Sequence, residues 1–261
     1  MAAEMPLASA NRNGSPIRIA AAGDVHVRET TRDEVAEAFI KADRDADLIL
    51  LAGDLTTHGE PEQAALLARI CEPLEVPVIA VLGNHDCHAN RIPELVGELE
   101  RGGIEVLDRS WTVRSVDGCE VGIAGTKGFI GGFPGSHLPD FGEASLRELY
   151  AEASAEIDAL DEGLREVATA PYRIALLHYA PTAATLEGEP PGIWAFLGTD
   201  RLAAPILAHE PDLVMHGHAH AGTFRGEIGS VPVFNVSVHA MGRDFTIFEL
   251  SAESSVPAPI H

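Results

Sequence analysis

Five short motifs carry side chains able to hold a cation: Asp24-Val25-His26, Gly53-Asp54, Gly83-Asn84-His85-Asp86, the lone His178, and His216-Gly217-His218-Ala219-His220. Strand side chains alternate with period two, so Asp24 and His26 can face one point if the chain stays extended there. An Asp-x-His or a Gly-Asp carries little weight alone, Gly-Asp being a common turn pair. A carboxamide, an imidazole and a carboxylate directly after an apolar run are costly unless something binds them. Two histidines one residue apart behind a glycine can chelate neighbouring ions. Hard carboxylate and amide oxygens with borderline imidazole nitrogens suit Mn, Fe or Zn. Two such ions about 3.5–4 Å apart can share a hydroxide and grip two phosphate oxygens.

The segments that must position these groups follow one rule, an apolar run and then a ligand-type residue. Ile17 to Ala22 leads to Asp24, Asp47 to Ala52 to Asp54, and Val76 to Leu82 to Asn84. Each run is short and bounded by Gly, the pattern of a buried strand entering a loop. Helical patterns lie between them, over Arg32 to Asp43 and over Pro61 to Cys71, the latter opened by Pro at a first helical position. Strand, helix, strand, helix, strand implies an α/β domain with parallel pairing and right-handed crossovers, with ligands gathered at the carboxyl ends of the strands. Further on the pattern predicts short strands over Glu105 to Leu107, Thr112 to Ser115 and Glu120 to Ala124, then a Gly-rich loop from Thr126 to Gly142. A long helix over Ala144 to Val167 takes its register from Leu146, Leu149, Ile157, Leu160 and Leu164. Strands over Arg173 to Leu177, Leu213 to Met215, Val231 to Val236 and Phe245 to Leu250 complete the domain.

The 261 residues suit one domain over 17–250, with a flexible leader at 1–16 and a flexible tail at 251–261. Against 18 Lys and Arg stand 40 Asp and Glu, a net charge of −22. Such a surface repels long nucleic acids and anionic membranes, while a locally cationic site can still admit a small anion. Three cysteines without metal-ligand spacing argue against a disulfide framework, and no stretch has the apolar length of a signal core or a membrane span. The expectation is a cytoplasmic protein with a small phosphorylated substrate.

The order Asp-x-His, Gly-Asp, Gly-Asn-His-Asp, His, Gly-His-x-His resembles the calcineurin-like metallophosphoesterases, and among them the class III cyclic-nucleotide phosphodiesterases. The resemblance runs from Asp24 to His220. It implies two mixed β-sheets packed as a sandwich with helices outside. It places Asp24, His26 and His220 on one ion, Asn84, His178 and His218 on a second, and Asp54 between them. A hydroxide bridging the ions would attack phosphorus, with His85, oriented by Asp86, protonating the leaving group. His216 is expected to support its loop without ligating.

Around these motifs, Lys127, Phe129, His58 and Trp194 are candidates for substrate contact, with His88 and His137 on nearby loops. In the phosphoprotein phosphatases, which share the metal motifs, an Asp-Arg-Gly follows the bridging aspartate and an Arg precedes Gly-Asn-His. Here Leu55-Thr56-Thr57-His58-Gly59 follows Asp54, and Leu82 precedes Gly83. Without those arginines the site suits a singly charged diester better than a dianionic monoester, unless Arg28 or Arg91 folds over it. A monoesterase, a protein phosphatase and a scaffold of the same fold are the competing readings. Cys87 is expected to pack as a neutral thiol.

Overall fold

The computed structural model describes residues 16–251 and 258–260. The expected leader, apart from its last residue, lies outside the described residues.

The chain alternates strand and helix through its first third: β1 (Ile17–Ala22), α1 (Arg32–Asp45), β2 (Leu48–Ala52), α2 (Pro61–Cys71), β3 (Val78–Val81), α3 (Ile92–Arg101) and β4 (Ile104–Val106). A hairpin of β5 (Ser110–Val116) and β6 (Cys119–Thr126) leads to the long α4 (Ala144–Glu166). Then come β7 (Tyr172–Leu177), the one-turn α5 (Trp194–Leu197), α6 (Ala203–His209), β8 (Leu213–His216), β9 (Arg225–Ile228), β10 (Val231–Asn235), the short α7 (Val238–Met241), β11 (Thr246–Leu250) and β12 (Ala258–Ile260).

Two six-stranded sheets result, ordered β12-β11-β1-β2-β3-β4 and β5-β6-β7-β8-β10-β9. In the first, β1 to β4 run parallel and β11 is antiparallel to β1. In the second, β6, β7, β8 and β10 run parallel, with antiparallel β5 and β9 at the edges. The strand residues explain the layering. In β2, Leu48, Leu50 and Ala52 join the core between the sheets, while Ile49 and Leu51 join the core beneath the helices. In β7, Ile174 and Leu176 face the first core and Ala175 and Leu177 the outer one. A strand buried on both faces needs such an unbroken apolar run, and the period of two divides it between the layers. The helices of the first third cover one outer face, and α4 and α6 cover the other. The sandwich is therefore four layers deep, helix, sheet, sheet, helix, as the resemblance implies.

Three local expectations change. The helices α3 and α6 were not expected, although α3 carries Ile92, Leu95, Val96 and Leu99 at helical spacing with a Pro in its first turn. The α4 helix packs through Ala153, Glu156, Leu160, Gly163 and Leu164, while Leu149, near its start, is 37% exposed. Part of the expected tail, Ala258–Ile260, pairs antiparallel with β11. The Gly-rich segment 127–142 contains no helix or extended strand; it is held by backbone bonds to the α5 region, such as Gly132 N to Gly198 O at 2.8 Å. No described helix is long and apolar enough to cross a membrane.

Candidate metal centre

The parallel strands β1, β2, β3, β7 and β8 deliver Asp24, Asp54, Asn84, His178 and the His218–His220 loop to one place. Hydrogen bonds join the two sheets there: Gly23 N donates to Val236 O at 2.7 Å, and His218 N donates to the Asp24 side-chain Oδ2 at 3.0 Å. Asp24 does not continue β1 in extended form. Asp24, His26, Asp54 and His218 have φ of 59°, 46°, 52° and 69°, half of the eight described non-glycine residues in that range. Left-handed backbone costs a non-glycine residue about 1–3 kcal/mol, and such strain concentrates at functional sites. The motif therefore converges through tight turns and not through strand alternation. At Gly83 the fit is close enough that a Cβ would lie 2.1 Å from Asp54 Oδ1, so the residue before Asn84 has room only for hydrogen.

Backbone carbonyls fix the imidazoles. The Nδ1 atoms of His178, His26 and His85 lie 2.9, 3.2 and 2.8 Å from the carbonyl oxygens of Ala52, Thr56 and Thr57. A carbonyl only accepts, so each Nδ1 carries the proton and each Nε2 offers its lone pair to the site. His218 is held the other way, its Nε2 donating to Phe196 O at 3.1 Å and its Nδ1 left to ligate. His178 Nε2 lies 2.9 Å from Asn84 Oδ1, and His220 Nε2 3.0 Å from Asp24 Oδ1. Asp54 turns Oδ2 toward His26 Nε2 at 3.7 Å and Oδ1 toward His178 Nε2 at 3.4 Å.

Electrostatically the cluster lacks cations. Asp24 and Asp54 are buried, and among the described residues neither ion-pairs with Lys or Arg. Burial, with the Asp24 and Asp86 carboxylates nearby, pushes Asp54 up to about 6 against the pull of His178. Burial works against ionising Asp24 too, yet its hydrogen bond to His220 and the charges of His178 and His220 hold it well below the usual carboxylate range. Burial depresses His26 to about 4 and His218 to about 3, so both rings are neutral at pH 7. Two buried carboxylates facing several imidazoles and a carboxamide oxygen form a donor set that metal cations could complete. Ring and carboxylate atoms of Asp54, His178 and His218 lie within 4.8 Å of one another, as do those of His26, Asp54 and His85.

The surrounding residues divide differently from expectation. Asp86 does not orient His85. Its buried carboxylate accepts from the N–H groups of Leu55, Thr56 and Gly83 and from Thr56 Oγ1, tying the Asp54 loop to the Asn84 loop. Lys127 Nζ points to Gly128 O at 3.0 Å and toward the buried Glu156 at 3.8 Å, over the Phe129 ring. Its backbone carbonyl receives His178 N at 3.1 Å, so Lys127 braces His178 through its main chain. Phe129 packs against Tyr179, and Trp194 donates to Glu189 O at 3.1 Å, anchoring its own loop. His58 is exposed, His88 sits with its ring 4.4 Å from that of His85, and His137 pairs with Asp200. His216 spends both nitrogens on Gly217 O and Thr185 Oγ1, which fits a supporting role. Cys87 donates to Gly83 O, and burial raises its thiol to about 11. Arg91 pairs with Glu94, whereas Arg28 Nε donates to Thr57 Oγ1 at 3.0 Å, beside the carbonyl that holds His85. His239, whose ring centre lies 4.3 Å from that of His220, was not among the residues the sequence singled out. It follows the apolar run Val231 to Val236, so the rule of strand then ligand-type residue pointed to it.

A family model for calcineurin-like phosphoesterases matches residues 17–222, and the chain belongs to that family. It is 27% identical over 186 residues to a Synechococcus protein named a probable cyclic nucleotide phosphodiesterase; the match covers 70% of this chain but only 61% of that relative. Among solved structures, the TT1561 protein of Thermus thermophilus superimposes with a TM-score of 0.61 at 21% identity, covering 95% of this chain and 99% of that one. The phosphopantetheinyl hydrolase of Mycobacterium tuberculosis superimposes at 0.62 with 15% identity, covering 95% and 96%. The two structures share the fold.

Proposed function

We propose that this chain hydrolyses small phosphodiesters at a dinuclear metal centre. The observation that carries the reading is Asp54, which turns a different carboxylate oxygen to the histidine on each side. Asp24, His26 and His220 would hold one ion and Asn84, His178 and His218 the other, with Asp54 shared. Bound there, two divalent ions supply Lewis acidity at the phosphoryl oxygens and lower the pKa of water enough to make a nucleophile.

The chain's own groups supply the rest. His85 Nε2 lies 4.0 Å from Asp54 Oδ2, at the edge of the centre, with Nδ1 held by Thr57 O. Protonated at Nε2, it donates to the departing alkoxide, and the Thr57 carbonyl keeps the ring aimed. The charge near the site favours a monoanion, because Lys127 is engaged by Glu156 and the phosphatase arginines are absent. The name of the Synechococcus relative makes nucleotide-like diesters the first substrates to test. Arg28 at Thr57 favours the competing monoesterase reading, since one cation near His85 would help bind a dianion. Comparing kcat/KM for bis-nitrophenyl phosphate and nitrophenyl phosphate at matched Mn and pH decides between them. The expected result is a diester preference; a clear monoester preference overturns it.

A further inference from the structure

The geometry points to His239 as a further ligand of the ion held by Asp24, His26 and His220, a role that rests on the dinuclear reading above. One ring nitrogen each of His26, His220 and His239 lies within 4.8 Å of the other two. The His239 ring centre is 4.3 Å from that of His220 and 6.2 Å from that of His26. Of the other histidines away from the centre, His137 has Asp200, His209 has Asp161 and His216 uses both nitrogens, whereas the ring nitrogens of His58 and His88 make no hydrogen bond or ion pair among the described residues and converge with no second imidazole pair. Among the described residues, no hydrogen bond or ion pair engages the nitrogens of His239. Three imidazoles converging in this way can offer one nitrogen each to a single cation.

The placement is built into the backbone. Gly23 N donates to Val236 O, and Val238 N returns a bond to Gly23 O at 3.0 Å. The start of α7 is thus stitched to the residue before Asp24, and His239 is its second residue. A histidine on an unattached loop would have no such registration with the ligand turn. With His239 engaged, the Asp24 side offers three imidazoles and the Asn84 side two imidazoles and a carboxamide. Nitrogen-rich sites favour borderline ions over hard ones, so the two positions should differ in affinity and in metal preference.

The test uses the full chain, stripped and reloaded with Mn²⁺ or Co²⁺, as wild type and as His239→Ala and His239→Gln. Metal per chain and the affinity of each site are measured by equilibrium dialysis, and the cobalt protein by its visible spectrum. The expected result is two ions in wild type and, in both variants, one ion held as before with the other weakened at least about tenfold. The cobalt bands of the weakened site should shift with the loss of a nitrogen ligand. Thermal unfolding of the metal-free variants should match wild type, since His239 is exposed on a one-turn helix. Unchanged affinities and spectra in variants that fold as wild type overturn the role of His239 alone. A wild-type protein that takes up no ions overturns the dinuclear reading and this inference together.

Discussion

Asp54 is the residue on which both halves of the proposed centre depend. Asp54→Asn keeps a side chain that tolerates left-handed backbone but halves its ligating oxygens. Metal content and turnover should fall together; full occupancy at an unchanged rate would remove Asp54 from the bridging position. For His85→Ala, turnover should drop by roughly 10²–10⁴-fold with both metals retained. The loss should be smaller with nitrophenyl than with alkyl leaving groups, and an equal loss for both would exclude proton donation to the leaving group. The proposed ligands from Asp24 to His220 were legible at this scale, because strand-then-ligand recurs there in a fixed order. The role of Asp86 was not legible. The expected mechanism paired Asp86 with His85, but the turn aims the carboxylate at the N–H groups of Leu55 and Thr56 in the Asp54 loop and of Gly83 in its own. Sequence neighbours share a motif without sharing a direction.

Among the elements, α4 carries a charge the apolar periodicity passed over. Glu156 is 1% exposed and accepts from Thr126 Oγ1, Gly128 N and Arg109 Nη2, pinning the helix to the turn after β6. Glu156→Ala should destabilise the fold by about 3 kcal/mol, because it strands buried donors and leaves Arg109 and Lys127 short of their shared acceptor. Chemical denaturation measures this, and a change below about 0.5 kcal/mol, the surface norm, would mean the network is dispensable. The strands β1, β2 and β3 were legible because each is an apolar run that leads into a glycine, and β7, β8 and β10 because each is an apolar run. The short α3 and α6, the edge strand β9 and the strand at Ala258–Ile260 were not. Edge and one-turn elements bury too little for pattern alone to mark them; their partners do, and partners are a tertiary property.

For the whole molecule, the metal-free protein should lose stability as pH falls from about 6.5 toward 4. Burial depresses His26 and His216 to about 4 and His218 to about 3, so below 6.5 the unfolded chain binds protons the folded one refuses. Asp54, raised to about 6, works in the opposite sense, favouring the folded state as it protonates, so the net slope sets these imidazoles, with His88 and His239 also lowered by burial, against one carboxylate. Melting temperatures in chelator across that range measure the slope, and a flat or inverted profile would contradict the burial of these rings. The joining of the two sheets at the centre has a mechanical consequence. Asp24 and His218 are 194 positions apart in sequence, on opposite layers of the sandwich. Ions bound between those layers would act as a reversible rivet, closing most of the chain into one loop that no disulfide closes. Amide exchange at the ends of β1 and β2 should then slow in step with that at β7 and β8 when metal is added, and both should be released together when it is withdrawn.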